Sequence, residues 1–428
     1  MKEKTIRSIF SIIIIVFVSI SCVSMISGKV TLKLKNMGVI SNEDNVKRVN
    51  VDWKKLYPFQ EIDGTESTTV QNDQSKITKL VKFISKLPEV AEDQVNKSKP
   101  YMIFFQELLQ LSSSIDAITG KPYVFRENLT LLKNGYIYGT SEKIDQTENA
   151  NNIIEFKDWL DSKNIPFLYV QHPIKLSKYD NQLAEVDVDY GNDNLDELLN
   201  ILQDNGIKTM DLRELMHNQQ INWYNYFYKT DHHWTPEAGI WAANEVAKEL
   251  NKEYGYDLDL KYTDINNYTS QTYEKWLFGA QGKKTSGFYT SPEDFTIYFP
   301  NFETNMTVIH KSLNYNKTGS FKDTVFEWEK IENREYVYYD RYGAYLHGNC
   351  PLTQIINNNS KNNLKVLFIE NSFSLVMTPY FSQTVSQVDM LDVRPDVGNF
   401  TGSVKTYINQ TNPDIVILFY DSEDYEYK

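Results

Sequence analysis

Three short apolar runs constrain this chain more than any other feature: Ile165-Pro-Phe-Leu-Tyr-Val-Gln171, Leu364-Lys-Val-Leu-Phe-Ile369 and Pro413-Asp-Ile-Val-Ile417. Runs of this length, rich in β-branched and aromatic residues, read as strands buried on both faces. Helix-length stretches near residues 153–160 and 195–202 lie among them, and shorter strands are expected at 136–138 and 207–212. Buried strands alternating with helices define an α/β class, with a parallel sheet covered by helices on both faces. Residues 262–348 break the rhythm. Their Thr-, Tyr- and Val-rich runs between Gly and Asn turns, such as Phe299-Pro-Asn-Phe302 and Glu335-Tyr-Val-Tyr-Tyr339, predict a β-rich insertion that roofs whatever site the sheet presents.

The chemistry concentrates in Asp231-His232-His233-Trp234-Thr235-Pro236, in a chain with only six histidines. A carboxylate on one imidazole nitrogen fixes the tautomer and frees the other nitrogen to take a proton. Thr235 suits an N-cap and Pro236 the first helical position, so a helix is expected over 236–250, with Trp234 and Trp241 as core aromatics. Two blander readings compete. The His pair could ligate a metal, though adjacent residues rarely aim at one ion and no further ligand motif accompanies them. The aspartate could simply cap the helix.

Downstream, Glu370-Asn371-Ser372-Phe373-Ser374 follows the 364–369 strand, and a short helix interrupted at Pro379 is expected over 375–384. The carboxyl edge of a buried strand is where α/β sheets present nucleophiles. Ser372 reads either as an N-cap or as a nucleophile that needs a base, and Ser374 is its decoy. Two weaker candidates for the pocket or an oxyanion donor are Gln171-His172, ending the first buried strand, and the Phe278-Gly279-Ala280-Gln281-Gly282 loop. For Gln171 and His172, a strand-terminal turn before Pro173 explains the residues equally well.

An Asp-x-His-Trp segment, followed much later by a strand and Ser-Phe, resembles the DHHW proteins, relatives of the alginate O-acetylation proteins AlgX and AlgJ with an SGNH-hydrolase-like domain. Asn134-Gly-Tyr-Ile-Tyr-Gly139, Asp392-Val-Arg394 and Pro413-Asp-Ile-Val-Ile417 echo further segments of that family, so the likeness spans roughly residues 131–420. It implies that Ser372 is the nucleophile, His233 the base and Asp231 its orienting carboxylate, with His232 at the variable position. It also implies a circularly permuted sheet, since the order Asp, His, Ser reverses that of ordinary SGNH hydrolases. Asn371 stands where Asp or Thr is usual and Glu370 where Gly or Lys is usual. Both changes bear on the oxyanion loop, so Asn371 joins the pocket candidates.

At the amino end, Lys2, Lys4 and Arg7 precede a charge-free stretch over 8–28, about the length that spans a bilayer core. Cys22 lacks the flanking residues of a lipoprotein signal and no clean cleavage site precedes Lys29, so an uncleaved transmembrane helix is expected. Residues 29–120 read as a stalk and helical spacer, and 121–428 as the catalytic domain. Lys29, Lys33 and Lys35 offset the charge bias across the helix, so the extracellular placement of the domain follows from the resemblance. Cys350, the only other cysteine, has no partner in the soluble part for a disulfide, which fits a Gram-positive surface. A net charge of −13 with no long basic run argues against nucleic acid.

These features lead to a membrane-anchored O-acetyltransferase or acetylesterase acting on a cell-surface or exported polysaccharide. The family pairs with a multi-pass membrane acyltransferase (MBOAT type), and nothing in the pattern calls for a cofactor or assigns a metal. The competing reading is a non-catalytic polysaccharide-binding subunit with a decayed triad, and a third is a metal-dependent hydrolase using His232 and His233.

Overall fold

A computed structural model describes residues 128–420 apart from 186, 286–288, 334–338, 395–396 and 398–402. The expected membrane helix over 1–28, the spacer over 29–120 and most of the Glu335–Tyr339 run lie outside the described residues. Among the described residues no helix is long and apolar enough to cross a membrane.

The chain opens with a small hairpin of β1 (Leu129–Leu131) and β2 (Ile137–Gly139). It continues through α1 (Thr147–Asp161), β3 (Phe167–Gln171), α2 (Gly191–Asp204), β4 (Thr209–Asp211), α3 (Leu212–Asn218) and α4 (Pro236–Tyr254). The insertion supplies β5 (Tyr268–Leu277), the one-turn helix α5 (Ala280–Lys283), β6 (Glu293–Pro300), β7 (Met306–His310) and β8 (Tyr315–Gly319). Short helices α6 (Phe321–Val325) and α7 (Trp328–Glu332) follow. The chain closes with β9 (Leu352–Asn357), β10 (Lys365–Glu370), α8 (Thr378–Phe381), β11 (Gln387–Leu391), α9 (Val404–Thr411) and β12 (Ile415–Phe419).

The main sheet runs β4-β3-β12-β10-β11-β9-β7-β8. Its first five strands are parallel, as their unbroken apolar runs require. Alternate residues face opposite sides. Leu168, Val366, Phe368 and Ile417 pack with Ala238, Ala242 and Val246 of α4, while Tyr169, Leu367, Ile369 and Val416 pack with Ile153, Phe156 and Leu160 of α1 and Leu198 of α2. Each large side chain so buried contributes about 1.5–3 kcal/mol before chain entropy is set against it. The expected parallel sheet is extended at one edge, where β9 runs antiparallel to β11 and brings in β7 and β8. The insertion is therefore in part an extension of the sheet, and only β5 and β6 form a separate ribbon.

Two local expectations shift for physical reasons. Helix α4 begins at Pro236 as expected, but nothing stops it at 250. It runs to Tyr254, where Gly255 adopts a left-handed φ of 70°. The segment after Ser372 is not broken at Pro379. It is a 3-10 turn (Ser372–Val376) followed by α8, with Pro379 in the helix's first turn, where no amide donor is needed.

Candidate active site

Asp231 and His233 sit in a clasp rather than an open loop. An antiparallel bridge joins Phe227 to Trp234, Tyr228 N donates to His233 O at 3.2 Å, and Thr235 N donates to Tyr226 O at 2.9 Å. Thr235 also caps α4, its hydroxyl accepting from Ala238 N. Trp234 is fully buried, and its indole donates to Phe373 O at 2.8 Å, which ties the clasp to the serine turn.

Ser372 opens that turn at the carboxyl end of β10, next to the middle of the parallel strands. Asn371 caps the turn, its Oδ1 accepting from Phe373 N at 3.1 Å. The cap is thus the residue before the serine, which leaves the serine hydroxyl unspent. Ser372 Oγ lies 2.7 Å from His233 Nε2, and His233 Nδ1 lies 2.6 Å from Asp231 Oδ1. The Asp231 carboxylate also accepts from His233 N at 3.1 Å and from Ala280 N at 2.7 Å. Burial alone would raise this carboxyl. The charge and hydrogen bond of His233, then His232 and the Ala280 amide, outweigh burial and hold it well below the usual carboxylate range. An ionised Asp231 can only accept, so the imidazole proton rests on Nδ1 and Nε2 accepts from the serine.

The expected site residues divide into two groups. Asp231, His233 and Ser372 are brought together. The remaining pocket candidates turn away from the serine. Gln171 folds back, accepting from Tyr169 Oη at 2.9 Å and donating to His172 O at 2.8 Å. His172 is fully buried, stacks on Phe373 at 4.1 Å and accepts at Nε2 from Asn371 Nδ2 at 3.1 Å. Both lie on the expected edge of the sheet, but as backing for the turn. Gly279 is corrected as an oxyanion donor: its amide donates to Thr230 Oγ1 at 2.9 Å, and its loop wraps Asp231 instead. Ser374 is buried against Glu370, to which its hydroxyl donates.

His232 is half exposed, with its ring 3.7 Å from that of His233 and Nδ1 3.5 Å from Asp231 Oδ1. Asp231, His232 and His233 offer donor atoms within 4.8 Å of one another. A metal there would have to displace the proton His233 shares with Asp231 or the one it accepts from Ser372, so the donor set fits a proton relay better than an ion.

Three supports have no motif to betray them. Tyr342 stacks on His233 at 3.8 Å, nearly parallel, and donates to Ser372 O at 3.0 Å. Lys175 is buried and donates from Nζ to Ile137 O and to Gln281 Oε1, both at 2.6 Å. It thereby anchors α5, whose Ala280 amide holds Asp231. Desolvation pulls its pKa down to about 7 against the opposing pull of Asp231 and Glu293. Glu293 in turn accepts from Lys229 N and Thr230 N, both at 2.7 Å, fixing the near side of the clasp.

Ser, His and Asp converge at the carboxyl edge of a parallel sheet, and residues 131–275 match a family model described as the SGNH hydrolase-like domain of the acetyltransferase AlgX. The matched stretch contains Asp231 and His233 and stops before Ser372. The solved structure of Bacillus cereus PatB1 is 19% identical, with a TM-score of 0.56, covering 70% of this chain and 98% of that one. PatB1 with a sulfonyl adduct gives 18% and 0.54, covering 68% and 95%. A DHHW family protein from Eubacterium siraeum gives 15% and 0.53, covering 69% and 91%. The resemblance read from the sequence is borne out, and these structures share the fold. None of the curated proteins compared with the chain matches it.

Proposed function

We propose that this chain is an O-acetyltransferase or acetylesterase acting on a carbohydrate polymer, with Ser372 as nucleophile. The observation that carries the reading is the continuous relay from Ser372 Oγ through His233 to Asp231, at 2.7 and 2.6 Å. Ser372 Oγ attacks an acetyl carbonyl while His233 Nε2 takes its proton. Collapse of the tetrahedral adduct expels the donor oxygen, which receives that proton and leaves an acetyl-Ser372 ester. A sugar hydroxyl then loses its proton to His233 and attacks the ester, and Ser372 leaves reprotonated. The oxyanion donor is the Ser372 amide, which as the first N–H of a helical turn has no intrahelical acceptor. Ser372 and His233 are only 7% and 8% exposed, which supports transfer to a bound hydroxyl over transfer to bulk water.

The chain order of the three residues supports a circularly permuted SGNH arrangement over 121–428. The apolar stretch over 8–28 supports a single-pass anchor, and the family resemblance supports a domain outside the cell that receives acetyl groups from a multi-pass membrane acyltransferase. Ser372→Ala removes one oxygen at a strand end and should abolish acetyl-ester turnover and polymer acetylation with thermal stability near wild type. His233→Ala should lose as much, because the relay acts as a unit. Asp231→Asn upsets the tautomer and should cost roughly three to four orders of magnitude in kcat. Wild-type acetylation by all three variants would replace the enzyme with a polysaccharide-binding subunit.

A further inference from the structure

A trough runs along one face of α4, starting at the clasp that carries Asp231 and His233. Its floor is Glu237, Trp241, Asn244 and Lys248, spaced three or four residues apart and therefore on one side of the helix. The near part, about 450 Å³, is walled by Tyr136 and Tyr298 and by Thr235 and Pro236, which follow His233 in the chain. The far part, about 610 Å³, is walled by Tyr226 and by the turn around Lys261 and Asp264. Glu237 lines both parts, so they adjoin. Each part is of ligand-binding size, which runs roughly from 300 to 1,000 Å³.

The lining selects the ligand. Aromatic rings, with Ile240, Leu260 and Ile265 in the far part, are interspersed with carboxylates, amides and hydroxyls, a mixed surface that suits neither a lipid tail nor the apolar face of a helix. A sugar ring offers what this surface lacks: C–H faces to lie on Tyr and Trp, and hydroxyls to bond the polar groups between them. Charge narrows the choice. The two lysines of the trough are already paired, Lys248 with Glu245 at 2.8 Å and Lys261 with Asp259 at 2.6 Å. Glu237 at the junction, Asp264 and Asp294 add negative charge to a chain of net charge −13. A uronate or phosphate polymer would be repelled along this whole path.

We infer that this trough, which begins beside the clasp, holds a non-anionic glycan, neutral or carrying free amines. The inference rests on the carbohydrate reading above and adds the class of polymer. The test uses the full chain carrying Ser372→Ala, so that nothing turns over. Calorimetry follows its binding of hexasaccharides of N-acetylglucosamine, of glucosamine and of a uronic acid. The first two should bind, and the uronate should bind at least about tenfold more weakly. Trp241→Ala or Tyr298→Ala should weaken both good ligands about tenfold, and exposed Glu237→Gln should weaken the glucosamine oligomer alone. Binding of the uronate as tightly as the others, no binding of either good ligand, or binding indifferent to all three substitutions overturns the inference. Wild-type turnover of a small acetyl ester is measured separately. If it is absent while the glycans bind as expected, the trough stands and the acyl-transfer reading falls.

Discussion

Tyr342 does two jobs at once, and its hydroxyl and its ring can be separated by substitution. Tyr342→Phe keeps the face on which His233 lies but removes the donor to Ser372 O. A lost buried hydrogen bond costs about 1 kcal/mol, so urea denaturation should show a loss of that order with turnover reduced only modestly. Tyr342→Ala removes the face as well and should reduce turnover far more. Wild-type turnover in the alanine variant would end the idea that the ring positions His233. At this scale the sequence was most informative where chemistry is local: Asp231 and His233 are two residues apart, and Ser372 ends a strand that can be read from its own composition. Tyr342 and Lys175 arrive from segments far away in the chain, and a lone Tyr or Lys carries no spacing to read. Gly279 was found but assigned to the wrong partner, because a loop's small residues reveal close approach without revealing what is approached.

Helix α4 and the one-turn helix α5 bring those residues to their places through two glycines. A Cβ on Gly239 would lie 2.0 Å from Val376 O, so α4 packs directly on the backbone of the serine turn. A Cβ on Gly279 would lie 2.3 Å from Asp231 Cβ and 2.5 Å from its Oδ2. Gly239→Ala should therefore destabilise by about 1–3 kcal/mol, since a backbone atom cannot step aside, and displace Ser372 as it does so. Gly279→Ala pushes on the Asp231 carboxylate as well as its Cα, 2.7 Å away, so it should cost some stability but show its larger deficit in kcat. The check is to measure both variants by denaturation and by ester turnover, and equal ratios of the two losses would refute this division. Element types and most of their centres were legible because continuous apolar runs and helical periodicity are local signals. The sheet's far edge was not. Strands β7 and β9 alternate buried and partly exposed residues, a pattern that fits any half-covered antiparallel ribbon, and nothing in it says which sheet they join.

The whole molecule carries a pH dependence in the buried carboxyl of Glu370, beneath the serine turn. Burial raises its pKa well above the ordinary range and Asp392 raises it further, while the Ser374 hydroxyl and Arg394 only partly offset them. The folded state thus holds this proton more tightly than the unfolded chain does. Its stabilising contribution is complete below the unfolded value and is lost as pH rises through the raised folded value. Melting temperature should accordingly fall as pH rises above the ordinary carboxyl range in the wild type, and fall less in Glu370→Gln, which keeps the shape without the titration. Identical slopes in the two proteins would show that this carboxyl is not protonated in the fold. The sequence marked Glu370 as a departure from its relatives, but the companionship of Asp392 and Arg394 exists only once β10 and β11 lie side by side.

The strand order also sets a timetable. Asp231 and His233 follow β4 in the chain, Ser372 follows β10, and β12, the last strand to be made, lies between β3 and β10. A chain that emerges amino end first therefore presents Asp231 and His233 before Ser372, and Ser372 before the strand that joins β10 to β3. Residues 415–419 come last and enter the middle of the parallel strands, so the sheet under the site is closed by the chain's final strand among the described residues.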